Sequence, residues 1–501
     1  MLGETSQVPE TSGSMTEQRT IRRKIIDEHY DTINGVRRLS VRNTSVNRTQ
    51  LADAMGVSLS TVSRDIKKLL EARAIREEED SSLKICSEFA YFLGIQISTH
   101  VVRAALLGFD LQPMGDQELV ELINSTGSDG DAFVQDLWDL DPEDGTPWNG
   151  RKEDRDSLRK LAKPLPFIFF NIGSDNDIGA IIRISNHIVN KLQLHIEKIP
   201  LLAVGLATPG LMDGGKVIRF CPNVQALVNH SIYELLNTSK LKDHNIKSTF
   251  IHDTSSDMLW IKEMIYEKDY NGDADEENVA VIHVGSGVGS ALVLGGALYH
   301  GKNGCAGEIG HFFTPPENAK LNELIKDKRD EDQRFSTETA KEVRCSCENA
   351  CIESTIRKEI FDSFSPSVFF EKNEIRPQPG SHTPEAELLK QYFEKRPARL
   401  RLFVEYMHIL GNQMINFANV GLIVFSGRLA PALKEEIAAH NLRFHSVQNI
   451  ASSVCTIRAG DGWVESVARG AAIAAFHKCL EENEKSDDPV RVQWKPLRRV
   501  N

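Results

Sequence analysis

HVGSGVGSALVLGGALYHGKNGCAGEIGH, residues 283–311, is the stretch whose reading decides the fold. An apolar run over 279–284 enters a glycine-spaced turn, Gly285-Ser286-Gly287-Val288-Gly289, and a second apolar run follows over 291–294. Gly295-Gly296 then turns the chain into a short third strand ending at Tyr299, and a loop closes on Gly307-Glu308-Ile309-Gly310-His311. Apolar β-formers around glycine turns predict a hairpin whose backbone approaches a ligand closely, since glycine alone presents bare N–H groups there. Glu308 and His311 are positioned to meet at one bound molecule.

Outward from this hairpin, strand and helix patterns alternate in two rounds. Residues 92–98, 101–109 and 119–123 read as strands, and 178–194 as an amphipathic helix. A buried strand over 201–207 runs into Thr208-Pro209-Gly210, and Pro222-Asn223 lies in a loop. Residues 249–253 form a strand leading into a helix over 255–268, so Asp253 stands at a strand's carboxyl end, where α/β folds place ligand-binding groups. A helix over 400–416, a strand over 420–426 and a helix of small residues over 462–479 complete the body. Three polar stretches, 124–164, 315–341 and 363–397, read as insertions. The body is expected to be two-lobed, with a cleft between the lobes.

The amino-terminal part differs in charge. Residues 15–76 hold thirteen Lys/Arg against seven Asp/Glu, a local +6 that leaves −18 on the remainder of a chain whose total is −12. A basic module on an acidic body reads as a nucleic-acid binder joined to something else. Helical spacing runs over 17–33, and a basic, turn-rich bridge is expected over 35–47. Beyond it lies a helix-turn-helix: Leu51, Ala52 and Met55 face inward on one helix, Gly56 turns, Ser58 caps, and Val62, Ile66 and Leu69 face inward on the next. Ser60, Thr61, Ser63, Arg64 and Lys67 are left on the outer face, the residue types that bond phosphates and base edges from a helix in a major groove. Residues 74–76 and 83–85, around an acidic turn, predict a two-stranded wing.

With 41% hydrophobic residues the chain can bury a sizeable core, and no apolar run approaches membrane-spanning length. Eight cysteines in 501 residues, three of them at 345, 347 and 351, do not form a secreted disulfide framework, so a cytoplasmic protein is expected.

Together these residues resemble the ROK family (repressors, open reading frames and sugar kinases), in its NagC/XylR-type branch. The resemblance covers about residues 19–480 with the three polar insertions outside it, and the Gly307-Glu308-Ile309-Gly310-His311 hairpin end is its most specific match. It implies a ribonuclease H-like body of the actin/hexokinase type, α/β in class, preceded by a winged helix-turn-helix. The expected division is a disordered tail over 1–14, the winged module over 15–88, the body over 89–480 and a tail over 481–501. Within the body the small lobe would take 89–208 plus 463–480, and the large lobe 209–462. The resemblance places Asn223, Asp253, Glu308, His311 and Glu353 around a sugar. Carboxylates, amide and imidazole suit paired hydrogen bonds to hydroxyls, each worth on the order of 1 kcal/mol.

Kinases of the family carry an Asp-x-Gly-Gly-Thr phosphate loop on the first strand, and the counterpart of Asp253 is their general base. Here that loop reads Gln96-Ile97-Ser98-Thr99, so the carboxylate and both glycines are replaced. The resemblance also implies a structural zinc on His311, Cys345, Cys347 and Cys351, although the cysteine spacing is one residue shorter than in the family. The expected function is a transcriptional regulator, a repressor of carbohydrate genes, that binds operator DNA and a sugar or sugar phosphate as a homodimer or homotetramer. It would not be an enzyme. Alternatives are an ATP-dependent sugar kinase and a regulator governed by a protein partner.

Overall fold

The computed structural model describes residues 14–114, 168–311 and 393–480 with gaps inside each range, chief among them 189–198, 264–277 and 439–455, together with Val492. The three insertions lie outside this set in whole or nearly so, as do the tail over 1–13 and the strand expected at 119–123.

The chain opens with two helices, α1 (Met15–Glu28) and α2 (Tyr30–Arg42), broken at His29. The bridge expected over 35–47 is therefore helical up to Arg42. Val36 and Leu39 continue the buried stripe of Ile26 and Ile33. Gly35 serves packing here and makes no turn: a Cβ on it would lie 2.6 Å from Leu51 Cδ1. The helix α3 (Arg48–Met55) starts with a reciprocal cap between Asn47 and Gln50 and stops at Gly56, whose φ of 67° suits glycine. Its inward face is Leu51, Ala52 and Ala54; Met55, expected inside, is half-buried. The helix α4 (Leu59–Glu71) begins on Ser58, whose hydroxyl accepts from the Thr61 amide at 3.2 Å, and it buries Val62, Ile66 and Leu69. The antiparallel pair β1 (Ile75–Glu77) and β2 (Leu83–Ile85) follows as the wing.

Next come β3 (Tyr91–Ile97), β4 (Val101–Leu107), β5 (Ile168–Asn171), β6 (Leu201–Thr208), the small pair β7 (Leu211–Asp213) and β8 (Val217–Phe220), α5 (Thr238–Asp243), β9 (Lys247–His252) and α6 (Asp253–Ile261). The second round is β10 (Val279–Val284), β11 (Val288–Leu294), β12 (Ala297–Tyr299), α7 (Pro397–Ala418), β13 (Leu422–Ser426), α8 (Ala432–Ala438), β14 (Thr456–Ala459) and α9 (Ser466–Lys478). The sheets run β5-β4-β3-β6-β9 and β12-β11-β10-β13-β14. In each, the first strand taken up in sequence is central, three strands pair antiparallel, and two more add in parallel. The same topology is thus built twice.

β9 pairs in parallel with β6 from Ala203↔Lys247 to Thr208↔His252. The first sheet therefore extends to His252. A strand of alternating burial such as β9 is indistinguishable by pattern from one belonging to the other sheet.

Two helices join the sheets by exchange. The helix α6 leaves the last strand of the first sheet and packs on β10 and β11 of the second, while α9 follows the second sheet and packs on β3, β4, β6 and β9 of the first. Where they cross, a Cβ on Gly470 would lie 1.6 Å from the Ser256 carbonyl oxygen, and the Ser256 hydroxyl donates to Val467 O at 2.6 Å. Gly94 and Gly205 let α9 approach the first sheet as closely. Among the described residues no helix is long and apolar enough to cross a membrane.

Candidate functional site

The outer face of α4 forms the first candidate site. Packing α4 against α3 and β1 buries its apolar stripe, and the polar remainder turns outward. Arg64 and Lys67 are 70% and 78% exposed, and their acidic neighbours Asp65 and Glu71 stand 3.9 and 4.0 Å away. Exposed pairs at such distances hold their partners weakly, so both cations are available to a polyanion. Ser60 is exposed, Thr61 and Ser63 half-buried, and the hydroxyls of Ser60 and Thr61 each lie 2.8 Å from that of Ser58. Ser60, Thr61 and Ser63 thus lie in the first turns of α4, next to the positive pole of its dipole, and Arg64 and Lys67 follow further along the helix.

A second site forms where β9 ends. His252 Nδ1 lies 2.9 Å from the Thr254 hydroxyl and 3.2 Å from Asp253 Oδ1, and the Thr254 amide donates to Asp253 Oδ1 at 2.7 Å. Asp253 is therefore held at the amino end of α6, where the helix dipole favours its charge. Glu308 arrives from the hairpin loop: its Oε1 is 4.0 Å from His252 Nε2.

The loop is fixed through Ser290 on β11. The Ser290 amide and hydroxyl donate to Gly307 O at 2.7 and 3.0 Å, and the Thr254 hydroxyl donates to Ser290 O at 3.1 Å. Gly307 has φ 98°, and a Cβ there would lie 1.9 Å from Ser290 O, so the loop can dock only as glycine. Asp253 and Glu308, 55 positions apart in the chain, are brought to one place by a serine and a threonine that sequence reasoning did not select. The available signal was slight: Ser290 is a polar residue at a buried position of an otherwise apolar strand.

Asn223, Glu353, Cys345, Cys347 and Cys351 lie outside the described residues, as does the turn over 285–287. His311 ends a short helical turn, Ile309–His311, and its side chain also lies outside the description.

Below the site, Asp257 is one turn along α6 from Asp253 and fully buried. Its Oδ2 accepts from His283 Nδ1 at 2.7 Å and from the Ser426 hydroxyl at 2.5 Å, tying α6 to the carboxyl ends of β10 and β13. On the first sheet Gln96 is buried on β3, and its Oε1 accepts from Arg103 Nη1 across the β3–β4 pair at 3.3 Å.

The model of the ROK family matches residues 179–474, more than half of the chain. The chain belongs to the ROK family. A glucokinase of Halalkalibacterium halodurans is 32% identical over 126 residues, 25% of this chain and 34% of that protein. A glucokinase of Thermotoga maritima is 24% identical over 120 residues, 24% of this chain and 35% of the relative. The chain thus matches about a third of the length of each curated relative. Among solved structures, a ROK family transcriptional regulator described as a homologue of the E. coli MLC protein aligns with 90% of this chain and 98% of its own, at 14% identity and a TM-score of 0.48. A putative sugar kinase of Cytophaga hutchinsonii aligns with 77% of this chain and 99% of its own, at 15% identity and a TM-score of 0.42.

Proposed function

We propose that this ROK protein is a DNA-binding transcriptional regulator, a repressor of carbohydrate genes, governed by a sugar or sugar phosphate. The observation that carries the reading is the joining of a helix-turn-helix with an exposed, basic, hydroxyl-rich helix face to a body in which Asp253 and Glu308 converge. In this reading α4 enters the major groove with Ser60, Thr61, Ser63, Arg64 and Lys67 toward DNA, and the wing lies beside it. Asn223, Asp253, Glu308, His311 and Glu353 hold the sugar hydroxyls. Zinc on His311, Cys345, Cys347 and Cys351 would keep His311 and Glu353 beside the ligand, and metal analysis of the purified chain tests this part directly. Sugar binding closes the cleft, and closure changes the relative placement of two winged modules in a homodimer or homotetramer, hence operator affinity.

A sugar kinase is the second reading, favoured by Asp253 at the end of β9 and by the partial matches to glucokinases. Against it stands Gln96, whose side chain is engaged with Arg103 where a kinase keeps a carboxylate and bare backbone for phosphate and metal.

One paired experiment separates these. A panel of sugars and sugar phosphates raises the melting temperature of the wild type, and a ligand at 100 times its Kd adds about 2.7 kcal/mol. Asp253→Ala abolishes that shift and retains DNA binding. Arg64→Ala retains the shift and weakens DNA binding about tenfold, one lost contact to phosphate or base edge. ATP-dependent phosphorylation of the bound sugar by the wild type establishes the kinase instead.

A further inference from the structure

The helix α6 begins at the second site and runs to the amino-terminal module. Asp253 begins it beside His252, which Glu308 approaches, and about 15 Å further on the helical turns reach Lys262 and Glu263, both buried. Glu263 reaches out of the body into the winged module. Its Oε2 lies 2.5 Å from Arg37 Nη1 on α2, with exposures of 1% and 4% for the two side chains. Arg37 Nη2 also donates to Asn34 Oδ1 at 2.7 Å, which fixes the guanidinium on its own helix. One turn earlier on α2, the Thr32 hydroxyl donates to Asp65 Oδ2 at 3.1 Å on α4, next to Arg64.

A second contact arrives at the same face of α2. The Tyr30 hydroxyl lies 3.3 Å from His477 Nδ1 at the end of α9, and the Tyr30 and Phe476 ring centroids are 6.0 Å apart. Because α6 and α9 cross at Gly470 with no space between them, their ends must move together. Packed elements of this kind have discrete arrangements and resist gradual deformation.

We propose that α6 acts as a rod between effector pocket and DNA-reading helix, and that the buried Arg37–Glu263 contact is the joint by which it sets the winged module. This rests on the sugar-regulated reading above. The chemistry of the joint suits movement. Desolvation of both charges offsets most of their attraction, so the pair fixes one geometry without a large net gain. When the module swings away, water restores both charges. An apolar contact in its place would stay closed.

The test uses the full chain and amide hydrogen exchange read by mass spectrometry, without sugar. Glu263→Gln removes the carboxylate that faces the buried Arg37 cation, and exchange over 30–42 and 59–71 rises about tenfold or more while 279–294 is unchanged. The double variant Arg37→Met, Glu263→Leu keeps wild-type exchange in all three segments. Adding a mixed-sequence DNA duplex at low salt then alters exchange over 253–263 in the wild type, and this response is lost in the double variant. A uniform rise over 30–42, 59–71 and 279–294 in Glu263→Gln, or a DNA response that persists in the double variant, overturns the joint. Wild-type protein that does not bind the duplex counts against the regulator reading, and the sugar-free, DNA-free comparison still decides the joint.

Discussion

Gly470→Ala destabilises the body by about 4 kcal/mol, because overpacking here is set against backbone. The new Cβ would stand 1.6 Å from the Ser256 carbonyl oxygen, so α6 and α9 must part by more than an ångström. Parting them breaks the Ser256 bond to Val467 O and opens the contact on which the lobes meet. Gly295→Ala is the control. It has nothing within 4 Å but a φ of 57°, so it carries only the left-handed backbone cost of about 1 kcal/mol. Urea unfolding of both variants reads the difference. Equal midpoints would show that the crossing has slack that the geometry denies.

Acid weakens the protein in two steps, and the first belongs to His477. Burial pushes its imidazole down to about 4 from 6.5, against the opposing pull of Glu263. Above pH 6.5 the ring is neutral folded and unfolded, so the stability is fully present. As the pH falls from 6.5 toward 4 the unfolded chain takes up a proton that the folded chain refuses. The loss approaches about 1.4 kcal/mol per pH unit and totals about 3 kcal/mol.

Glu263 supplies the second step. Burial opposes its charge, but the guanidinium of Arg37, with His477 and Arg38, outweighs this and holds the carboxyl at about 2, against 4.5 unfolded. Its contribution is complete above pH 4.5 and disappears between 4.5 and 2. His477→Gln, which can still meet the Tyr30 hydroxyl, flattens stability between pH 6.5 and 4 and leaves the lower step in place. A variant with the wild-type slope from pH 6.5 to 5 would assign the first step to another group.

Much of the fold was legible because its determinants are local. The β10–β11 hairpin follows from apolar runs around a glycine turn, and α3 and α4 follow from the Ser58 cap, Gly56 and a buried stripe. Asp253 was legible as a strand-end carboxylate, and the polar outer face of α4 as what remained after its core positions were removed. Gly35 was misleading: glycine commonly turns a chain, and only the presence of Leu51 across the gap shows that it is there to let two helices touch.

The sequence by itself determined the strands and helices that carry the β10–β11 hairpin, α3, α4 and Asp253, that a basic module precedes an acidic body, and which polar residues of α4 stay outside its core. Tertiary structure alone decided that β9 completes the first sheet, that α6 and α9 exchange sheets, and that Ser290 and Thr254 bring Glu308 to Asp253. It alone placed Arg37 on Glu263, 226 positions away. Hydrophobic period and turn chemistry act over a few residues and leave a trace in the string. A buried ion pair or a missing Cβ depends on what the fold places opposite, and neither arginine, glutamate nor glycine carries a local sign of it.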